Sequence, residues 1–508
     1  MSHLLRSLVF VTTVSHMALA RADDNPFVGN WIYRSFINDP KATDNFNDIR
    51  LWQADLTLKA DQDGTLSGEL AADNYHLKVS GSCDLRKSPA TIRLWALGVD
   101  GTETQGWRYD YEGVASHRWT TGDAQRPVIT GSVIRTLPHA PNRDAGLVYA
   151  FVAVSKDFPS APSTLPEKVT GYFAERVHRL HHVVWHGIRN YWNDLKESER
   201  YEIVELGWRI NGDRAALVSD AERTRPLIGN ASGEDFLFFH RQMVRKYRQL
   251  SADAGVTPIR WREIPQPGSL SKDFPTVVPA AWAISDYPFL ERRFKSLKTD
   301  GFFWSRMRWW DSEYKNQKYL ATLTLGELGS LIEFSVHNDM HMRWSELARD
   351  PLTNAPLVLG RPEYDFSPKW DKPKYNWLGE FYSSHVNPAF WGLHGWIDDR
   401  IDDWYRAHES AHPGEVKQSK LGGVPWFTTG KWVRAETPWV WPKDLGGVAS
   451  DPHDPALDEK RLKSLEAVVR VLFPPPTREI KTFLDTHPAE THALRGRSGR
   501  NSLVGGLE

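Results

Sequence analysis

Six histidines stand out by their spacing. His182 and His186 lie four residues apart, and so do His337 and His341. Residues four apart on a helix project from one face, so each pair offers two imidazoles to one ion. Each pair is followed by a single histidine in an aromatic run: His240 after Phe238-Phe239, and His394 after Phe390-Trp391. A third imidazole from a neighbouring helix would complete a three-nitrogen site with an open position. The order pair, single, pair, single therefore predicts two matched three-histidine sites from four helices. Imidazole-only ligation suits copper, zinc or nickel rather than magnesium or calcium. A carboxylate-bridged di-iron site would need two Glu-x-x-His motifs, and the chain offers one, Glu175-x-x-His178. Taken alone, a histidine in an aromatic run reads as core; the repetition is what marks these six.

Composition narrows the chemistry from the other side. The 508 residues hold 19 His and 23 Trp but one cysteine, Cys83. Intrachain disulfides, cysteine-rich zinc modules and iron–sulfur clusters are excluded by that count. Lys plus Arg number 63 and Asp plus Glu 64, so no global field grips nucleic acid or an anionic membrane. No stretch is long and apolar enough to span a bilayer. Residues 1–22 combine a basic start, an apolar run from Leu8 to Ala20 and Ala20-Arg21-Ala22, the pattern of an export signal. An exported chain with one cysteine suggests a periplasmic location.

Two kinds of element must position the histidines. From residue 27 to 155, eight short alternating runs recur between turn signals, with Asp63-Gly64 as a hairpin step. They predict a closed antiparallel barrel or a sandwich over 23–157. A Pro/Ser-rich linker over 158–166 follows. Beyond it, Val177, Leu180, Val184, Ile188 and Tyr191 recur at helical spacing. Helices joined by long Pro- and Trp-rich loops, such as 265–288 and 351–373, are expected to about residue 410. A short helix is expected near 458–472, before a Pro474-Pro475-Pro476 stop. The opening Gly29-Asn30-Trp31 and the run Asp63-Gly64-Thr65-Leu66-Ser67-Gly68 resemble the avidin or lipocalin barrel.

The histidine motifs resemble the type-3 dicopper family of tyrosinases, catechol oxidases and haemocyanins. The second half-site carries the likeness as His337-Asn338-x-x-His341 and Asn387-Pro388-x-Phe390-x-x-x-His394-x-x-x-Asp398. The first carries it as His182-x-x-x-His186 and Phe239-His240-Arg241. Bacterial tyrosinases place a ligand nine residues before the position of His240, where this chain has Ala231. His178 or His181 therefore stands as an alternative within the first set. The joining of a β-barrel to such a domain, and Gly233-Glu234-Asp235-Phe236 before His240, are similar to the exported tyrosinases that mature the pyoverdine chromophore in fluorescent pseudomonads.

The resemblance implies a mainly α four-helix-bundle copper domain over 167–445, and a segment over 446–508 that could cover the site. It implies two copper ions, O2 as co-substrate, and oxidation of a phenol to an o-quinone. The phenol would belong to a small molecule or to a tyrosine in a siderophore peptide. A phenol has a pKa near ~10 and must lose its proton on binding. In the family an Asn beside the first histidine of the second site, with a nearby Glu, holds a water that takes it. Asn338 fits the first role; Glu333, one turn before His337, is the candidate for the second, and Glu327 follows. Asp398 and Arg241 are expected to pair beside the site. No tyrosine follows Tyr405, so a covering residue from the tail would be Phe483, His487 or His492. Cys83 lies in the β region and cannot form the thioether cross-link that some of the family carry. The barrel could serve as a folding chaperone, a substrate platform or a homodimer interface.

Two other classes compete. His408-Glu409-Ser410-Ala411-His412 fits His-Glu-x-x-His, which would make a zinc metallopeptidase with Glu409 as base. Pro413 and Gly414 follow at once, so a solvated helix end is the expectation there. The third class is a non-catalytic protein that binds O2 or copper, with Phe390 or a Trp barring phenol.

Overall fold

The computed structural model describes residues 25–40, 45–61, 65–123, 125–139, 143–156, 164–210, 214, 228–268, 278–283, 288–357, 366–448 and 455–473. The segment expected to be an export signal, the Asp63-Gly64 step, most of the expected linker, parts of both long loops, and Phe483, His487 and His492 lie outside them. The described residues divide into two compact units. One holds those before Arg118 together with 126–156; the other holds 118–125 and those from Thr164 onward.

The first unit is a closed barrel. Its strands are β1 (Gly29–Ile37), β2 (Arg50–Ala60), β3 (Thr65–Ala72), β4 (Tyr75–Asp84), β5 (Thr91–Gly98), β6 (Arg108–Ala115), β7 (Val128–Arg135) and β8 (Val148–Ser155). Each pairs antiparallel with the next, and β8 returns to β1, with Tyr33 opposite Ala153. Period-two alternation sends Leu56 and Leu58 of β2, or Ile92, Leu94 and Ala96 of β5, inward. Tyr33, Leu70, Val79, Tyr111, Ile129 and Phe151 help fill the interior. Closure removes every sheet edge, and the sandwich alternative falls away.

Beside the barrel strands, His139 stacks on Trp107 with ring centroids 4.0 Å apart, and its Nε2 meets the Tyr109 hydroxyl at 2.8 Å. Burial, helped by Arg135 and Arg143, pushes its pKa down to about 4. A base whose folded pKa lies below its unfolded value contributes stability above about 6.5 and loses it as pH falls through 4. We expect the melting-temperature advantage of the wild-type chain over His139→Gln to shrink between pH 7 and pH 4. Equal advantages at both ends would refute that assignment.

The second unit is mainly helical. Its helices are α1 (Glu167–Ala174), α2 (Arg176–Tyr191), α3 (Glu197–Glu205), α4 (Ser232–Asp253), α5 (Pro288–Leu297), α6 (Asp300–Phe302), α7 (Arg308–Glu313), α8 (Gln317–Leu320), α9 (Leu325–Ile332), α10 (Asn338–Trp344), α11 (Pro388–Ala411) and α12 (Pro455–Leu472). A hairpin of β9 (Gln418–Leu421) and β10 (Val424–Phe427) interrupts them. Sequence periodicity missed that hairpin, although Gly422-Gly423, both at positive φ, supplies its turn. Among the described residues no helix is long and apolar enough to cross a membrane.

Local chemistry explains where the important helices begin. Asn387 caps α11, accepting from the Ala389 amide at 2.9 Å, and Pro388 takes the first helical position. Thr324 and Glu327 form a capping box that starts α9. At the start of α4, Glu234 accepts from the Arg434 and Ala435 amides and Asp235 from that of Trp439, acids placed where the helix dipole favours them. Between α9 and α10 the chain winds one π turn, Glu333–His337. Such bulges concentrate at functional sites.

Helices α4 and α9 touch backbone to backbone. A Cβ on Gly233 would lie 2.1 Å from the Gly326 carbonyl oxygen, and one on Gly329 2.1 Å from that of Gly233. Only glycine permits this approach. Gly233→Ala should cost at least about 1–3 kcal/mol of unfolding free energy; a denaturation midpoint equal to wild type would overturn that.

Candidate metal centre

Four helical segments deliver the six histidines. His182 and His186 come from α2, His240 from α4, His337 and His341 from the π turn and α10, and His394 from α11. All six are at most 2% exposed. Ring centroids within the two pairs are 4.7 Å apart in each case. Ring nitrogens of His182, His186 and His240 lie within 4.8 Å of one another, and so do those of His240, His337 and His394. His240 thus belongs to both groups, where the spacing predicted two separate triads. His341 adjoins the second, 5.3 Å from His394 between centroids.

The tautomers are set by what the Nδ1 atoms meet. Nδ1 of His182 meets the Phe381 carbonyl, that of His240 the Phe236 carbonyl at 2.8 Å, and that of His341 the Leu378 carbonyl at 2.9 Å. His394 Nδ1 meets the Phe390 carbonyl at 3.0 Å, and His337 Nδ1 meets Asn338 Oδ1 at 3.0 Å. A carbonyl oxygen only accepts, so Nδ1 carries the proton and Nε2 keeps its lone pair. The Nε2 atoms of His182, His240 and His394 are buried with no hydrogen-bond partner in the protein. Burial holds His182 down to about pKa 4 and His337 to about 3, and lowers the other four as well. The imidazoles are therefore neutral, the form that ligates. A buried set of neutral, pre-oriented Nε2 donors with no carboxylate among them fits a borderline transition metal such as copper, zinc or nickel.

Three residues of the surroundings have protein partners of their own. Glu333 is buried, and both its oxygens accept from Arg189, at 2.5 and 2.8 Å. Each oxygen thus has one donor from Arg189, and the carboxylate's remaining lone pairs are what a water would use. Glu327 is absorbed in the α9 cap, accepting from the Thr324 amide at 3.0 Å. His181, an alternative ligand by sequence, meets the Val440 carbonyl through Nε2 at 3.0 Å and stacks on Trp441 at 3.5 Å.

Asp398 and Arg241 do pair, at 2.7 Å, and Arg248 and Asp402 extend the network. The His-Glu-x-x-His segment ends α11 with Glu409, Ser410 and Ala411 exposed, as expected of a solvated helix end, while His408 faces inward and is fully buried. His408 and His412 meet the carbonyls of Leu323 and Ala321 through Nε2 at 2.9 and 3.1 Å, while Glu409 is exposed. Those contacts occupy the Nε2 atom of each histidine.

One residue escaped the sequence reading. His385 is fully buried, and its ring lies 4.9 Å from that of His182. Its only signal was its place two residues before the Asn387 cap. Comparison of the chain with models of known families and with curated proteins returns no match.

Proposed function

We propose that this chain is a type-3 copper phenol oxidase. The observation that carries the reading is the set of six buried histidines, five with Nδ1 engaged by an oxygen, which makes Nε2 the lone-pair nitrogen of each. His182, His186 and His240 would hold one copper, and His337, His341 and His394 the other. Bound there, a copper pair supplies the redox chemistry by which O2 oxidises a phenol to an o-quinone. The chain's own part is to hold, orient and keep dry. Asn338 fixes the His337 tautomer. Arg189, paired with Glu333 and donating to the Ser232 carbonyl at 2.9 Å, ties α2 to α4 and to the π turn. The substrate is the phenol of a small molecule or of a tyrosine in a siderophore peptide.

The test is to load the metal-free protein with copper and count ions per chain. Two coppers, with O2 consumed when a monophenol is added, is the expected result. A single zinc, or no metal with all six histidines intact, would sink the proposal. One observation favours a second reading, reversible O2 binding. The Phe390 ring is fully buried, 3.7 Å from His394 and 5.7 Å from His182 between centroids, where it could bar phenols. O2 uptake that stays reversible with monophenol present would select it.

A further inference from the structure

Beside the first half-site lies a pocket lined by Phe173, His178, His182, Gln242, Met243 and Lys246 among others. His178 precedes His182 by four residues on α2, and Met243 follows His240 by three on α4. Each therefore sits one turn from a proposed ligand on the same helix face. The pocket grades inward. Met243 and Lys246 are half-buried, His178 is 8% exposed, and His182, which reaches it, is 1% exposed.

An ion bound for a centre of fully buried imidazoles must shed its water on the way. Moving a bare charge into a protein interior is costly unless donors accompany it. A thioether and an imidazole supply such donors, and that soft pair selects Cu(I) over harder cations. Lys246 narrows the form of delivery. Its ammonium lies 4.9 Å from the Tyr172 ring centroid, held near the mouth, where it repels an aquated dication but tolerates a neutral or anionic cuprous complex.

The geometry points to this pocket as the copper-loading route, with Met243 and His178 as transit donors that hand Cu(I) to His182. This rests on the copper reading above. The transfer is ligand exchange: Met243 sulfur and the His178 imidazole replace the donors of the delivering complex, and His182 and His186 then replace them. No electron moves.

The experiment uses the full chain, stripped of metal and mixed with cuprous bicinchoninate, whose colour falls as copper leaves it. Met243→Leu, which keeps the volume, and His178→Phe are each expected to load at least tenfold more slowly than wild type. Both should still reach two coppers per chain, which also shows that they fold. Loading at the wild-type rate overturns the route. A final count below two in either variant overturns it as well, since that residue would then be a resident ligand or a scaffold. A wild-type chain that takes up no copper at all would instead sink the oxidase reading, and that outcome is distinct from both.

Discussion

His240→Ala should leave a chain that no longer holds two coppers and oxidises phenols more slowly by well over the ~100-fold that loss of a mere supporting partner costs a metal site. The reason is its shared position. Its ring nitrogen lies within 4.8 Å of those of His182 and His186 and equally of those of His337 and His394, and its ring stacks on His394 at 4.4 Å. Removing it takes one of the three proposed ligands from the first copper and also the ring on which His394 of the second set stacks, whereas removing His341 touches the second set alone. His181→Ala is the matched comparison. It deletes a buried imidazole from the same region, but one whose Nε2 already meets Val440, so stability should fall while the copper count stays at two. Two coppers and activity within tenfold of wild type in His240→Ala would end the dicopper assignment.

Glu333→Gln should cost about 3–5 kcal/mol of unfolding free energy, because it leaves the Arg189 guanidinium buried without its counter-charge. Arg189 is fully buried, donates to Ser232 as well as Glu333, and stacks on Trp185 with its carbon 4.2 Å from the ring centroid. It cannot turn to water for compensation. The double variant Arg189→Met/Glu333→Leu removes both charges and should recover most of that loss. Copper binding should return with it, since Glu333 is assigned here to hold helices together. If Glu333→Gln melts like wild type yet loses phenol hydroxylation, the carboxylate is the proton acceptor that the family likeness implied.

The two histidine pairs and the eight strands were legible because each is a statement about period: four residues for a helix face, two for a sheet face. His240 and His394 were legible only through repetition of the pair–single order. What escaped lies where local sequence carries no period. Glu333 stands four residues before His337, which on an α-helix places both on one face; the π turn spanning those residues alters that relation, and its sequence Glu-Phe-Ser-Val-His gives no sign of it. The same holds for His408 and His412, whose spacing fits a zinc motif while carbonyls from another segment occupy them. His385 became visible only when its burial did, and the hairpin over 418–427 was too short to stand out among helices.

The Nδ1 contacts carry a consequence for how this centre can change over generations. Four of the five oxygens that fix the imidazoles belong to the main chain, at Phe236, Leu378, Phe381 and Phe390. Point mutation replaces side chains and leaves carbonyls where they are, so those four settings are shielded from drift so long as the helices and loops keep their paths. The fifth, at His337, depends on the Asn338 amide. Variation at that one codon can retune one of the two half-sites while the other stays constant, which makes position 338 the place where divergence among relatives, or a designer, would find an adjustable handle.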